Sequence, residues 1–190
     1  MEGKIRSNRE DLSLIGFSPD MSPLLIVKDG NVELKLVEGR WGKEVELYIN
    51  NKIAMQTHPG MHSSMRVSVE QCPTNARVYI GGLGLGLVLL YLAHSEKAVE
   101  VIVCEKNKHL IKLIANQVIQ WFAVNYPDFR ITIIKGMAWE EIGKHGKFDW
   151  IFYDFLSLTH LANAKLCLAV GGVMTDRHDF LYSKDPRRWI

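Results

Sequence analysis

The stretch that most constrains this chain runs from Arg77 to His94, where a short apolar run, Val78 to Ile80, meets a cluster of glycines and then a run of leucines. That order favours an apolar strand, a tight turn and a buried helix. Gly82, Gly84 and Gly86 form a G-x-G-x-G series, and the missing Cβ atoms let a ligand lie against the backbone. The first N–H groups of the helix that follows have no partner within it and face whatever occupies its end. Leu87, Val88, Leu89, Leu90 and Leu92 leave that helix almost no polar face, which predicts burial against a sheet. Glycines also mark ordinary turns, so the next strand carries weight. Val99 to Glu105 ends in an acid about twenty residues past the loop, where a carboxylate reaches ribose hydroxyls. The alternative is a ligand-free α/β domain with Glu105 solvated at a strand end.

From Arg77 onward strands and helices alternate, which predicts a mostly parallel sheet covered on both faces. The strands are expected at 77–81, 100–105, 130–135 and 148–154, with a fifth starting at Gly171. The helices are expected at 85–95, from an N-cap at Asn107 to a stop at Pro127, at 139–142, and over about 158–169. Right-handed crossovers bring the glycine loop, Glu105, Met137 and Asp154 to one rim of the sheet, the rim at which open α/β sheets bind ligands. Upstream, Asp29 and Gly30 sit between two strand-like runs and predict a two-residue hairpin turn. A second pair of runs, 44–49 and 52–56, joins at Asn50 and Asn51, with Val45, Leu47 and Ile49 alternating with polar residues. The expected organisation is an arm over 1–21, a small antiparallel β subdomain over 22–57 and a connecting loop and short helix over 58–76. A Rossmann-like nucleotide domain then spans 77–181, followed by a polar tail over 182–190.

The 190 residues suffice for a self-supporting core, and 47% hydrophobic with 23% charged residues is ordinary for a globular protein. A formal charge of +2 gives no strong pull toward nucleic acid or anionic membrane. The longest apolar run, Leu83 to Ala93, is too short to span a bilayer. Cys72, Cys104 and Cys167 lack metal-knuckle or redox spacing, and the start has no apolar signal core, so a reducing cytoplasm is expected.

These residues resemble the class I S-adenosylmethionine-dependent methyltransferase superfamily, and within it the spermidine-synthase-like branch. The likeness covers roughly residues 22–180: the hairpins leading through Ile53 to Thr57, the glycine motif from Val78 to Gly86, the strand from Val101 to Glu105, the strand from Phe148 to Asp154, and the turn from Ala169 to Met174. It implies S-adenosylmethionine, its decarboxylated form or methylthioadenosine as ligand. Glu105 would hold the ribose, with Lys106 beside it. Gly81, Gly82, Leu83, Gly84 and Gly86 would lie along the methionine portion, and Met137 and Ala138 beside the adenine. Asp154 stands where aminopropyltransferases place the carboxylate that takes a proton from the attacking amine, because an ammonium is no nucleophile. Relatives are commonly dimeric, so a homodimer is expected.

The departures steer the reaction. Polyamine synthases carry an acid in the glycine loop, where this chain has Leu83, Gly84 and Leu85. They continue the active-site strand with Asp and Pro, where Ser157 and Leu158 stand here, and their Gly-Asp after strand three is Gly136 and Met137. Gly60 to Met65 replaces further acidic and tyrosine positions. A dicationic substrate needs several carboxylates to offset lost hydration. The leading expectation is therefore methyl transfer to a small-molecule acceptor, with no nucleic-acid or membrane partner. Aminopropyl transfer and a non-catalytic nucleoside-binding module are the alternatives. After strand five only 176–190 remain for any remnant of further strands.

Other constellations read as ordinary structure. Asp154, Asp176, His178 and Asp179 have hard ligands that suit Mg²⁺, but solvated loop acids explain them, and no metal is expected. No Asn/Asp-Pro-Pro-Tyr follows strand four, which argues against methylation of a flipped base. His160 reads as a helix-surface residue. Trp139 either walls an adenine pocket or packs in the core. Met55, Met61 and Met65 read as filler.

Overall fold

A computed structural model describes residues 26–40, 42–153 and 158–176. The proposed arm and tail, Asp154, His178 and Asp179 lie outside the described residues.

Four antiparallel strands form the first sheet, in the order β1 (Ile26–Asp29), β2 (Val32–Gly39), β3 (Gly42–Ile49), β4 (Lys52–Gln56). Val32, Leu34 and Leu36 of β2 are buried while the residues between them are not, the alternation of a sheet with one face against a core. Asn50 and Asn51 both take positive φ at the β3–β4 turn, at 53° and 60°. The first hairpin turns one residue later than the sequence suggests. Asp29 pairs with Val32 as the last rung, so Gly30 and Asn31 form the turn and Gly30 supplies the positive φ of 57°. Asp29 is thereby free to accept from His109 at 2.6 Å and to pair with Lys112, which fastens this hairpin to a helix of the second sheet's layer.

The connecting segment holds α1 (Pro59–Glu70), a helix of 12 residues. His58 caps it, its Nδ1 accepting from the N–H groups of Gly60 and Met61, and Pro59 follows at the first position, where its missing N–H costs nothing.

The second sheet is parallel throughout, with strand order β7-β6-β5-β8-β9. Its elements are β5 (Ala76–Gly81), α2 (Leu87–Ser95), β6 (Ala98–Glu105), α3 (108–125), β7 (Arg130–Lys135), α4 (Ala138–Glu141), β8 (Phe148–Tyr153), α5 (Leu158–Leu166) and β9 (Leu168–Asp176). This is the Rossmann-like architecture expected, preceded by the small antiparallel sheet. Asn107 caps α3, accepting from the N–H groups of His109 and Leu110. Within α3 a π-helical turn, Ile111–Ala115, breaks the simple 3.6-residue period and buries the neighbours Ile114 and Ala115 together.

β9 starts at Leu168, before the glycines, and α5 correspondingly ends at Leu166 rather than near 169. Leu168 pairs with Phe148, the register then slips, and pairing resumes at Val173 with Trp150. Gly171, at φ 79°, allows that bulge. The turn signal lies inside a strand.

One apolar cluster runs from Leu34 and Leu47 in the first sheet through Met65 of α1 to Leu89, Val103 and Trp150 in the second. A smaller cluster on the opposite face gathers Tyr79, Ile151 and Ala164. Among the described residues no helix is long and apolar enough to cross a membrane.

Candidate functional site

β5 and β6 end side by side, with Gly81 in register with Cys104. The backbone continues this pairing past the strands: Gly82 N–H donates to the Cys104 carbonyl at 2.8 Å, and Gly136 N–H to the Glu105 carbonyl at 3.1 Å. The loops after β5, β6 and β7 are thus drawn together, with Glu105 at their centre. Its carboxylate accepts from the Leu83 N–H at 3.0 Å and from the Asn107 N–H at 2.7 Å. The side chain is buried, only 7% of the residue being exposed.

A cavity of about 380 Å³ opens above these loops. Gly82, Gly84, Glu105 and Lys106 line its floor, and Met137, Ala138 and Trp139 line the side beyond β7. Leu47, Ile49, Ala54 and Met55 of the first sheet complete its lining. Apolar walls around one buried carboxylate are the composition of a site that orients a ligand by few polar contacts. Trp139 is half-buried and lines this space.

No family model matches the chain, and no curated protein matches it. Solved structures do. Spermidine synthase from Thermotoga maritima superposes with a TM-score of 0.58 at 21% identity, covering 80% of this chain and 54% of that one. Spermidine synthase in complex with the transition-state analogue AdoDATO gives a TM-score of 0.58 at 18% identity, covering 80% and 57%. Trm5b from Pyrococcus abyssi gives 0.54 at 18% identity, covering 79% and 46%. The chain has the class I methyltransferase fold. It spans about half the length of these neighbours.

On this methyltransferase-fold scaffold the sequence-predicted residues separate by what they do. Gly82, Gly84, Glu105, Lys106, Met137 and Ala138 come together around the cavity. Gly81 lies beneath it, where a Cβ would strike the Tyr153 ring, so it is needed for packing. The Leu83 side chain is buried in the core and only its amide serves the site, through Glu105. Gly86, at φ 78°, turns the chain into α2. Asp154 follows β8, whose last residue Tyr153 is in register with Gly81, and is itself outside the described residues. Among the described residues no cluster of three or more His, Cys, Asp or Glu could hold a metal ion.

Sequence reasoning took Met55 for filler. Its thioether instead reaches the glycine loop, where Sδ accepts from the Leu85 N–H at 3.3 Å. No local signal marks this residue, because its position depends on the first sheet folding over the rim of the second.

Proposed function

We propose that this cleft binds the adenosyl part of S-adenosylmethionine or a close relative, and that the reaction it serves is methyl transfer to a small-molecule acceptor. Glu105 carries the reading. Each of its oxygens accepts one backbone N–H, and a carboxylate accommodates roughly four donors. The remaining lone pairs, on a side chain at the cavity wall, suit the two hydroxyls of a ribose. Met137, Trp139 and Leu110 offer apolar surface to a flat base. A neighbour of the same fold in complex with AdoDATO is consistent with such a ligand.

A bound sulfonium supplies both the electrophilic methyl and the leaving group. The chain's residues then need only hold the nucleoside, exclude water and accept the acceptor's proton, for which Asp154 is the candidate. Aminopropyl transfer is less well supported, because Leu83 to Leu85 place no acid where a substrate ammonium would need one. A second reading, nucleoside binding without turnover, is favoured by the Met55 thioether lying against the Leu85 amide.

Titration calorimetry with S-adenosylmethionine, its decarboxylated form and methylthioadenosine tests the proposal. Glu105→Ala is expected to weaken binding about 10- to 100-fold, the scale of losing charge-assisted hydrogen bonds. An unchanged affinity removes the reading. Turnover of a methyl acceptor that disappears in Asp154→Asn, with binding retained, separates the transferase from the module.

A further inference from the structure

The notch at the glycine loop is already filled by the chain itself. Met55 sits in β4, its backbone registered with Leu47 beside a bulge in the β3–β4 ladder. Only 6% of the residue is exposed. A Cβ built on Gly84 would lie 2.8 Å from the Met55 sulfur, so the thioether rests directly on that glycine. Its sulfur also accepts from the Leu85 N–H, just before the Gly86 cap of α2. An entering carboxylate would seek such an amide. Lys106 is the one cationic side chain among the described residues lining the cavity, and it follows Glu105 directly, at the sugar end. A carboxylate beside Gly84 would therefore lose hydration with no cation of the described residues beside it.

Resting on the adenosyl part of the reading above, in its second form of nucleoside binding without turnover, we propose that Met55 limits the 5′ end of the ligand. The cleft prefers an adenosine carrying a short uncharged thioether over one carrying an amino-acid tail. The cavity of about 380 Å³ lies near the small end of the range for ligand sites, roughly 300–1,000 Å³. A longer tail enters only when the Met55 side chain turns away and gives up the Leu85 amide. Met55 is thus a specificity-determining residue that acts by occupying space.

Calorimetry on the whole chain, with methylthioadenosine and S-adenosylmethionine as probes, decides this. In the unmodified protein methylthioadenosine is expected to bind about tenfold tighter or more. Met55→Ala should tighten S-adenosylmethionine and shrink the gap to about threefold or less, whereas Met55→Leu, which keeps the bulk, should preserve it. Met55→Val, whose branched side chain suits a strand, repeats the truncation should the alanine variant fail to fold. Equal or tighter binding of S-adenosylmethionine by the unmodified protein, lost on Glu105→Ala, overturns the role of Met55 and leaves the adenosyl site standing. A gap unchanged on truncation does the same. Binding of neither compound overturns both.

Discussion

The two rims of the parallel sheet use their polar groups in opposite ways. At the amino-terminal rim Arg77 is engaged by several groups of the protein. Its backbone N–H donates to Asp149 at 2.8 Å, and its guanidinium pairs with Glu100 and donates to the carbonyls of His145 and Lys147 at 2.6 and 2.9 Å. It also lies over the Phe148 ring at 4.7 Å. One side chain thus ties the starts of β5, β6 and β8. At the carboxyl-terminal rim Glu105 is equally central, yet its two amide donors leave lone pairs facing a cavity. A charge engaged by several internal partners ties elements of a fold together. A carboxylate held by backbone amides at a cavity wall keeps acceptor capacity to spare.

Acid should separate the rims most strongly. His62 of α1 is buried with its Nδ1 2.8 Å from the Tyr91 hydroxyl of α2, the helix that carries the glycine turn. Burial, helped by nearby His58, pushes its pKa down from 6.5 to about 4, and a backbone hydrogen bond to Thr57 offsets this only in part. The unfolded chain then takes up a proton that the native protein refuses. Stability is full above pH 6.5, falls as the pH drops through that value and levels off near pH 4. The loss is on the order of 3 kcal/mol. Chemical denaturation across that range should show the slope, and His62→Gln should flatten it. Hydrogen exchange at pH 5 should open α1 and α2 before the Arg77 rim; the reverse order would break the distinction.

Arg77→Ala comes next, with an expected loss of about 1–2 kcal/mol in urea unfolding, since the side chain is partly solvated and its ion pair is screened. Nucleoside affinity should stay within about twofold. A larger change in affinity would mean that the two rims are coupled. The smallest effect is assigned to Gly84→Ala, about 1 kcal/mol, because a side chain disfavours its φ of 52°. The same Cβ should push Met55 off the loop, which a shift of the Met55 methyl resonance would reveal.

Much of the candidate cleft is legible because its signals are local. The glycine series, the acid closing the next strand and the Asn107 cap are each set by a few consecutive residues, and they meet as the strand-and-helix alternation predicts. What escaped has non-local or averaged causes. Met55 lies 30 positions before the Leu85 amide it contacts, and nothing near residue 55 encodes that approach. The π turn in α3 escapes because one extra residue hardly disturbs an apolar stripe averaged over the helix. Gly171 and Gly172 read as a turn before a strand, whereas the pairing of Leu168 with Phe148 extends the strand through them and leaves a bulge. The first hairpin slipped by one residue because Asp29-Gly30 and Gly30-Asn31 are both good turn pairs, and cross-strand pairing chose the second.

The apolar cluster that passes from Leu34 and Leu47 to Val103 and Trp150 has a thermodynamic consequence. Neither sheet owns its half of that interior, so removing the hairpins would strip the parallel sheet and leave its leucines wet. Heating should melt both in one calorimetric peak, and any molecule seated over Glu105 should raise the melting temperature of strands that it never touches.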